Sequence, residues 1–326
     1  MASADHIKAL IKSHADGDDL RFYAIALQVA AQAARSGHSK FAQELRDIVD
    51  ELRRQDPKLV ARAKPVTPLV QPRGELAGLL VVHYPRARLA DMALTSEIHD
   101  RLGRVLREQR ERERLREHGF APIRKLLLVG PPGTGKTMTA SVLAGELGLP
   151  LFSVQLHSLI TKYMGETAAK LRLVFDAIAE TRAVYLFDEF DALGSERASR
   201  DDVGEIRRVL NSFLQFLEQD DSDSLVLAAT NHPKVLDRAL FRRFDAAIEY
   251  DVPPPAVAEQ LLRGRLALLD TRDVGWPQVV SAAEGLSHAE IVRACEQAAK
   301  NVLLDERTQV VTRDLTAAIS DRRIER

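Results

Sequence analysis

Eight residues near the middle of the chain constrain its fold more than any other segment. Residues 130–137 read Gly-Pro-Pro-Gly-Thr-Gly-Lys-Thr, and they follow the apolar run at residues 125–129. The spacing G-x-x-x-x-G-K-[ST] is that of a phosphate-binding loop, whose glycines let several backbone N–H groups point at one anion. Such a loop joins a strand to a helix. The segment therefore predicts an α/β fold that binds a nucleotide.

The positions of this loop have separate expected roles. Lys136 reaches the β- and γ-phosphates, and Thr137 offers its hydroxyl to Mg²⁺. The sequence therefore predicts ATP and Mg²⁺ as cofactors. Further nucleotide contacts are expected from Gly130, Pro131, Pro132, Gly133, Thr134, Gly135 and Met138.

Two later strand patterns end in polar residues suited to hydrolysis. Residues 183–187 are apolar and are followed by Asp188 and Glu189. Asp188 would hold Mg²⁺ beside the loop, and Glu189 would act as the base that polarises the attacking water. The apolar run at 225–230 is followed by Asn231, which would help to orient that water.

Four motifs together carry a family resemblance. They are GPPGTGKT at 130–137, YLFDE at 185–189, AATN at 228–231 and LDRALFRRFD at 236–245. In this order they resemble AAA+ ATPases over about residues 88–320, and within them the AAA subgroup of protein remodellers. The adjacent Arg242 and Arg243 are more similar to katanin, spastin and their relatives; a bacterial stand-alone remodeller of the same subgroup fits equally.

The resemblance implies a fold and an assembly. The fold is α/β, a five-stranded parallel P-loop NTPase sheet in the order 5-1-4-3-2, with a C-terminal helical lid. Its strands are expected near 126–130, 151–155, 183–188, 225–230 and 246–251. The implied assembly is a homo-hexamer in which Arg242 and Arg243 reach the ATP of the neighbouring subunit. Arginine fingers of this kind are worth ~10³–10⁵ in rate elsewhere.

Two further segments resemble functional parts of the family. Residues 285–290 correspond to a Ser-Gly-Ala-Asp run that lies against adenine, with His288 in place of the glycine and Ala289 after it. Tyr163 and Met164 match a loop that lines the central pore of protein-threading rings. An exposed aromatic there would grip polypeptide of any sequence, because it needs apolar contact only.

The function predicted from these features is ATP-driven remodelling or unfolding of a protein substrate. One alternative is a regulatory switch or scaffold that controls a partner, for example a separate protease, without threading. Another is a nucleic-acid motor, which the pore tyrosine disfavours. His-Glu-x-x-His and Gly-x-Ser-x-Gly motifs do not occur in this sequence, so proteolysis would require a separate partner.

The sequence divides into four predicted parts. Residues 1–55 carry three short amphipathic helical patterns, which resemble an adaptor module and equally fit a small helical bundle without a recognisable ligand. Residues 56–75 contain four prolines and form a semi-rigid linker. Residues 76–252 form the large α/β ATPase subdomain, and residues 253–326 form the helical lid. At the start of the large subdomain, residues 76–84 read as one strand or a short hairpin.

Composition is typical of a soluble chain. The 326 residues are 45% hydrophobic and 29% charged, with a formal net charge of −1. No apolar run approaches the ~20 residues of a membrane helix, and the N-terminus lacks a signal-peptide pattern. The single cysteine, Cys295, excludes an internal disulfide. We therefore expect a cytoplasmic protein without a membrane span, and near-neutral charge gives no case for nucleic-acid binding.

Overall fold

The computed structural model describes residues 71–159, 164–193, 202–232 and 238–324, together with Ala26 and Val29. The chain divides into two compact units, Met1–Pro68 and Leu69–Arg326. Apart from Ala26 and Val29, which are helical and buried, the predicted N-terminal bundle lies outside the described residues. The following paragraphs concern the second unit.

A six-stranded sheet forms the centre of this unit. The two central strands, residues 184–187 and 225–230, are buried along their length and apolar except for Thr230, as is typical of parallel sheets covered on both faces. The strands are β1 (Leu80–His83), β2 (Lys125–Val129), β3 (Leu151–Val154), β4 (Val184–Phe187), β5 (Leu225–Thr230) and β6 (Ala246–Glu249).

The sheet order is β1-β3-β4-β5-β2-β6. The strands β2 to β6 pair in parallel and follow the order expected from the resemblance. The difference from the expected five strands is β1, which pairs antiparallel with β3 at the edge of the sheet. Residues 76–84 thus contribute one strand, with the 3-10 turn Gly74–Gly78 before it.

Helices cover both faces of the sheet. On one face the helices at 164–180 and 202–219 pack around Phe175, Phe187 and Phe213. On the other face the helices at 96–110 and 136–147 pack around Leu106 and Leu143. The helices of this part are α1 (Ser96–Arg110), α2 (Arg112–Glu117), α3 (Lys136–Leu147), α4 (Leu156–Leu159), α5 (Met164–Glu180), α6 (Asp202–Gln219) and α7 (Arg238–Phe241).

Four further helices form the C-terminal helical subdomain, with an apolar core of its own. They are α8 (Pro255–Arg265), α9 (Trp276–Ala282), α10 (His288–Leu304) and α11 (Thr312–Ile324). Leu262, Ile291 and Leu315 are fully buried in that core. A capping box starts α10, because Ser287 Oγ accepts from the Glu290 N–H while Glu290 Oε2 accepts from the Ser287 N–H. This fixes the point at which α10 meets the phosphate-binding loop.

Among the residues with described structure, none of the helices combines the length and the apolar character that a membrane span requires.

Candidate active site

The phosphate-binding loop connects β2 to α3, where the sequence predicts it. Its glycines have backbone conformations that side chains rarely allow: φ is +150° at Gly130, +75° at Gly133 and +105° at Gly135. A Cβ atom on Gly130 would lie 2.2 Å from the carbonyl oxygen of Tyr250. Only glycine fits there, so the close approach of β6 and the loop depends on this residue.

Lys136 is held inside the loop by main-chain oxygens. Its side chain is buried, and Nζ donates to the carbonyl oxygens of Gly130 at 2.8 Å and Pro131 at 2.7 Å. Burial lowers the pKa of this ammonium, and the nearby Asp188 and Asp191 carboxylates oppose that shift. A desolvated cation with neutral partners is well suited to receive an anionic phosphate.

A hydroxyl and two carboxylates adjoin the loop. Thr137 Oγ1 donates to Asp188 Oδ2 at 2.7 Å, and Asp188 Oδ1 accepts from the Glu189 N–H at 2.9 Å. Hydroxyl and carboxylate oxygens are the ligands that Mg²⁺ takes, usually one or two of them together with water. The donor set of Thr137 and Asp188 therefore fits this ion.

Glu189 has a left-handed backbone, with φ of +52°. Few residues other than glycine adopt this conformation, and such strain concentrates at functional sites. It occurs directly after β4, where the chain turns into the 3-10 segment Phe190–Leu193. Glu189 and Asn231, which follow neighbouring strands, both border one cavity.

That cavity has a volume of about 590 Å³ and lies between the α/β part and the C-terminal helical subdomain. This is the size range of small-molecule sites. The phosphate-binding loop forms one wall, and helices α8 and α10 form another. Of the predicted site residues it brings together Pro132, Gly133, Thr134, Gly135, Lys136, Thr137, Met138, Asp188, Glu189, Asn231, His288 and Ala289.

The start of α10 contacts the loop directly. The Ala289 N–H donates to the Gly133 carbonyl oxygen at 3.0 Å. His288 also lines the cavity and is partly buried. Burial lowers the pKa of its imidazole, and an interaction with the backbone of Ala93 partly opposes this shift. The imidazole is therefore uncharged at neutral pH.

The arginines and the pore residues lie elsewhere. Arg243 forms an ion pair with Glu218, near the end of α6, and both Arg242 and Arg243 are exposed. Within the described part of the chain, neither arginine lines the cavity. Tyr163 lies outside the described residues, and Met164 is the first residue of α5.

Sequence reasoning missed several residues around the cavity. Residues 91–94 form part of its wall, as do Arg265 on α8 and Arg293 on α10. The first segment carries no motif by which it could be found. Arg293 lies one helical turn after Ala289, so helical periodicity could have identified it once Ala289 was assigned to the site.

The loop, the acidic pair and the parallel sheet define a P-loop nucleotide-binding protein. The profile of the ATPase family associated with various cellular activities (AAA) matches residues 126–252. The AAA family ATPase y4kL of Sinorhizobium fredii is 36% identical over 324 residues, 98% of this chain and 96% of that protein. This chain belongs to the AAA family and is an ATP hydrolase.

Two more matches each cover about three quarters of this chain. The ATP-dependent zinc metalloprotease FtsH 3 of Sphaerobacter thermophilus is 31% identical over 253 residues, which cover 76% of this chain and 52% of that protein. The chain thus matches about half the length of that relative. The crystal structure of the FIGL-1 AAA domain aligns with a TM-score of 0.61 and 25% identity, over 79% of this chain and 92% of that chain.

Proposed function

We propose that this chain is a subunit of a homo-hexameric, Mg²⁺-dependent ATPase that remodels or unfolds protein substrates. The main support for an ATPase site is that Lys136, Thr137, Asp188 and Glu189 line the same cavity. The similarity to an FtsH protease supports work on proteins, because it extends over most of this chain. The step from ATPase to remodeller rests on that similarity and on the pore motif.

Five residues of the cavity have roles in this proposal. Bound Mg²⁺ supplies charge neutralisation at the phosphates. Lys136 exchanges its two carbonyl partners for phosphate oxygens, and Thr137 and Asp188 present oxygen ligands to the metal. Glu189 accepts the proton of the attacking water, and the Asn231 amide orients that water.

Arg242 and Arg243 would complete the site of the neighbouring subunit. Both are exposed and stand apart from the cavity of their own chain, as a residue acting across a subunit boundary must. The Glu218–Arg243 ion pair is solvent-exposed, with side chains 46% and 41% accessible. Exposed pairs are worth ~0–1 kcal/mol, so a phosphate could displace Glu218 easily.

A mixing experiment tests this assembly. Glu189→Gln should bind ATP but turn it over at least ~10²-fold more slowly, and Arg242→Ala/Arg243→Ala should be inactive alone. In mixed rings, a subunit with intact Glu189 receives arginines from its Glu189→Gln neighbour, so some turnover should return. Co-assembled rings without any recovery would contradict arginines acting in trans. Light scattering should also show ATP shifting the chain towards hexamer.

The pore tyrosine separates a threading motor from a switch. Tyr163→Ala should leave ATP hydrolysis near the wild-type rate, while unfolding of a fluorescent reporter with an unstructured tag should fall by roughly tenfold or more, since the aromatic contact transmits force. Phe120→Ala is the matched control, because Phe120 is an exposed aromatic (65%) outside the cavity lining. Loss of hydrolysis in Tyr163→Ala would assign Tyr163 to packing. Full unfolding activity in Tyr163→Ala would show that Tyr163 does not grip the substrate. A wild-type chain that hydrolyses ATP but does not unfold the reporter would favour the switch, with an adaptor or protease as the controlled partner.

A further inference from the structure

Outside the cavity, one carboxylate links the segment that follows β4 to the end of β5. Asp191 lies in the 3-10 segment that directly follows Glu189. Its Oδ1 accepts hydrogen bonds from Thr230 Oγ1 at 3.0 Å and from the Asn231 N–H at 3.1 Å. Thr230 Oγ1 in turn accepts from the His232 N–H at 3.0 Å. One carboxylate oxygen thus accepts both hydrogen bonds at the end of β5 and connects this strand to the segment after β4.

The position of this link gives it consequences for the site. β4 and β5 are parallel neighbours, and Phe187 pairs with Ala228 at the end of their shared register. Glu189 and Asn231 follow these two strand ends and both line the cavity. Asp191 does not line it, so Asp191 can affect hydrolysis in two ways: through the positions of those two residues, and through its charge, which opposes the lowering of the Lys136 pKa.

The other side of the link is anchored in the core. Phe190 is fully buried, with its ring centroid 4.7 Å from that of Phe213 on α6. The segment that carries Asp191 is therefore fixed by packing, and Thr230, which it binds, is fully buried as well. A charge-assisted bond between two fixed segments sets their spacing more firmly than a neutral one would.

We propose that Asp191 is a positioning residue for ATP hydrolysis, which sets Asn231 against Glu189 so that both face the attacking water. The inference rests on the proposed roles of Glu189 and Asn231. It assigns Asp191 to the chemical step rather than to ATP binding, because Asp191 does not line the cavity and the hydrogen-bond partners of Lys136 are the carbonyl oxygens of Gly130 and Pro131.

The test compares Asp191 with a carboxylate elsewhere in the chain that also accepts one main-chain and one side-chain hydrogen bond through a single oxygen. Asp314 Oδ2, on α11, accepts from the Val311 N–H at 3.0 Å and from Arg307 Nη1 at 3.1 Å, and Asp314 does not line the cavity. Asp191→Ala and Asp314→Ala should both lower the melting temperature. Only Asp191→Ala should lower kcat, by roughly 10- to 100-fold, the scale of a small misplacement, with the Kd for ATP within about threefold of wild type.

A double-mutant cycle separates positioning from general damage. Asp191→Ala should have little further effect on kcat in an Asn231→Ala chain, because the two residues act as one unit. Asp191→Asn keeps an acceptor oxygen and should retain part of the lost rate. It also serves if Asp191→Ala does not fold.

Three results would overturn the inference. They are additive losses of kcat in the cycle, a loss of ATP affinity that matches the loss of kcat, and an equal loss of kcat in Asp314→Ala. Normal turnover in Asn231→Ala alone would instead refute the proposed role of Asn231, and the inference with it. The Asn231→Ala variant alone therefore distinguishes failure of the proposed site from failure of the positioning role of Asp191.

Discussion

The contact between the phosphate-binding loop and α10 leads to a quantitative prediction for Gly133→Ala. Gly133 has φ of +75°, and a Cβ atom there would lie 2.7 Å from Ser287 Oγ and 3.1 Å from Ala289 Cβ. The Gly133 carbonyl also accepts the Ala289 N–H at 3.0 Å. An alanine would therefore strain the loop and push the start of α10 away from it.

The size of the effect follows from two contributions. A left-handed alanine costs about 1–2 kcal/mol, and forcing an extra methyl group into a packed contact costs typically ~1–3 kcal/mol. The loop can relieve both by leaving its present conformation, but binding ATP would require it to return. A combined cost of about 3 kcal/mol would raise the Kd for ATP roughly 10²-fold, since each 1.4 kcal/mol is a factor of about ten.

Gly148→Ala is the control for backbone strain alone. Gly148 follows α3 with φ of +67°, and a Cβ atom there would have no neighbour within 4 Å. This variant should lose about 1–2 kcal/mol of folding stability but keep wild-type ATP affinity. Calorimetric titration with a non-hydrolysable ATP analogue gives both Kd values. A Gly133→Ala protein that binds within about threefold of wild type would refute the steric reasoning.

Three other predictions concern chemistry away from the loop. Cys295 is 1% exposed, and burial raises its pKa to about 12. A thiol reagent should therefore modify it only after unfolding, and rapid labelling of the native chain would contradict its placement in the core. Tyr250→Phe removes the 2.6 Å hydrogen bond to Thr139 Oγ1 and should lower the free energy of unfolding in urea by about 1 kcal/mol, whereas an unchanged midpoint would argue against that bond. Asp220→Ala removes the buried ion-pair partner of the largely buried Arg124 and leaves only the exposed Asp221, so it should cost about 3–5 kcal/mol; thermal melting measures whether the loss exceeds that of Asp221→Ala.

The sheet could be predicted because its signals are local. Each parallel strand is a short, mainly apolar run. The motif residues that follow β2, β4 and β5 mark where these strands end. The edge strand β1 was less certain, because Val81 and His83 are exposed and its pairing with β3 depends on residues about 70 positions away. Its antiparallel direction follows from packing at the edge, which no short segment encodes.

Helix α1 illustrates a similar limit. It is separated from α2 at Glu111, whose ψ is +17°. Arg110 binds Glu146 on α3 at 2.8 Å. An ion pair across 36 residues cannot be predicted from helical spacing, which predicts partners three or four residues apart.

The same distinction applies to the site. Lys136 and Thr137 belong to one continuous motif, and Asp188 with Glu189 to another, so spacing alone could propose them. Residues 91–94 and Arg265 reach the cavity from segments that share no motif with these. They could be identified only when the sheet and the C-terminal helical subdomain had been packed together.

A hydrogen bond joins the phosphate-binding loop to the helical subdomain, so a movement of one can affect the other. Gly133 contributes to the phosphate-binding loop, and its carbonyl oxygen accepts from the first turn of α10. Helix α10 in turn carries Ile291, Ala294 and Ala298 into the core of the helical subdomain. Because packed cores move as units, a change in the loop when a phosphate leaves must either break the Gly133–Ala289 bond or move the whole subdomain. The Gly133–Ala289 hydrogen bond thus links the conformation of the loop to the position of α10.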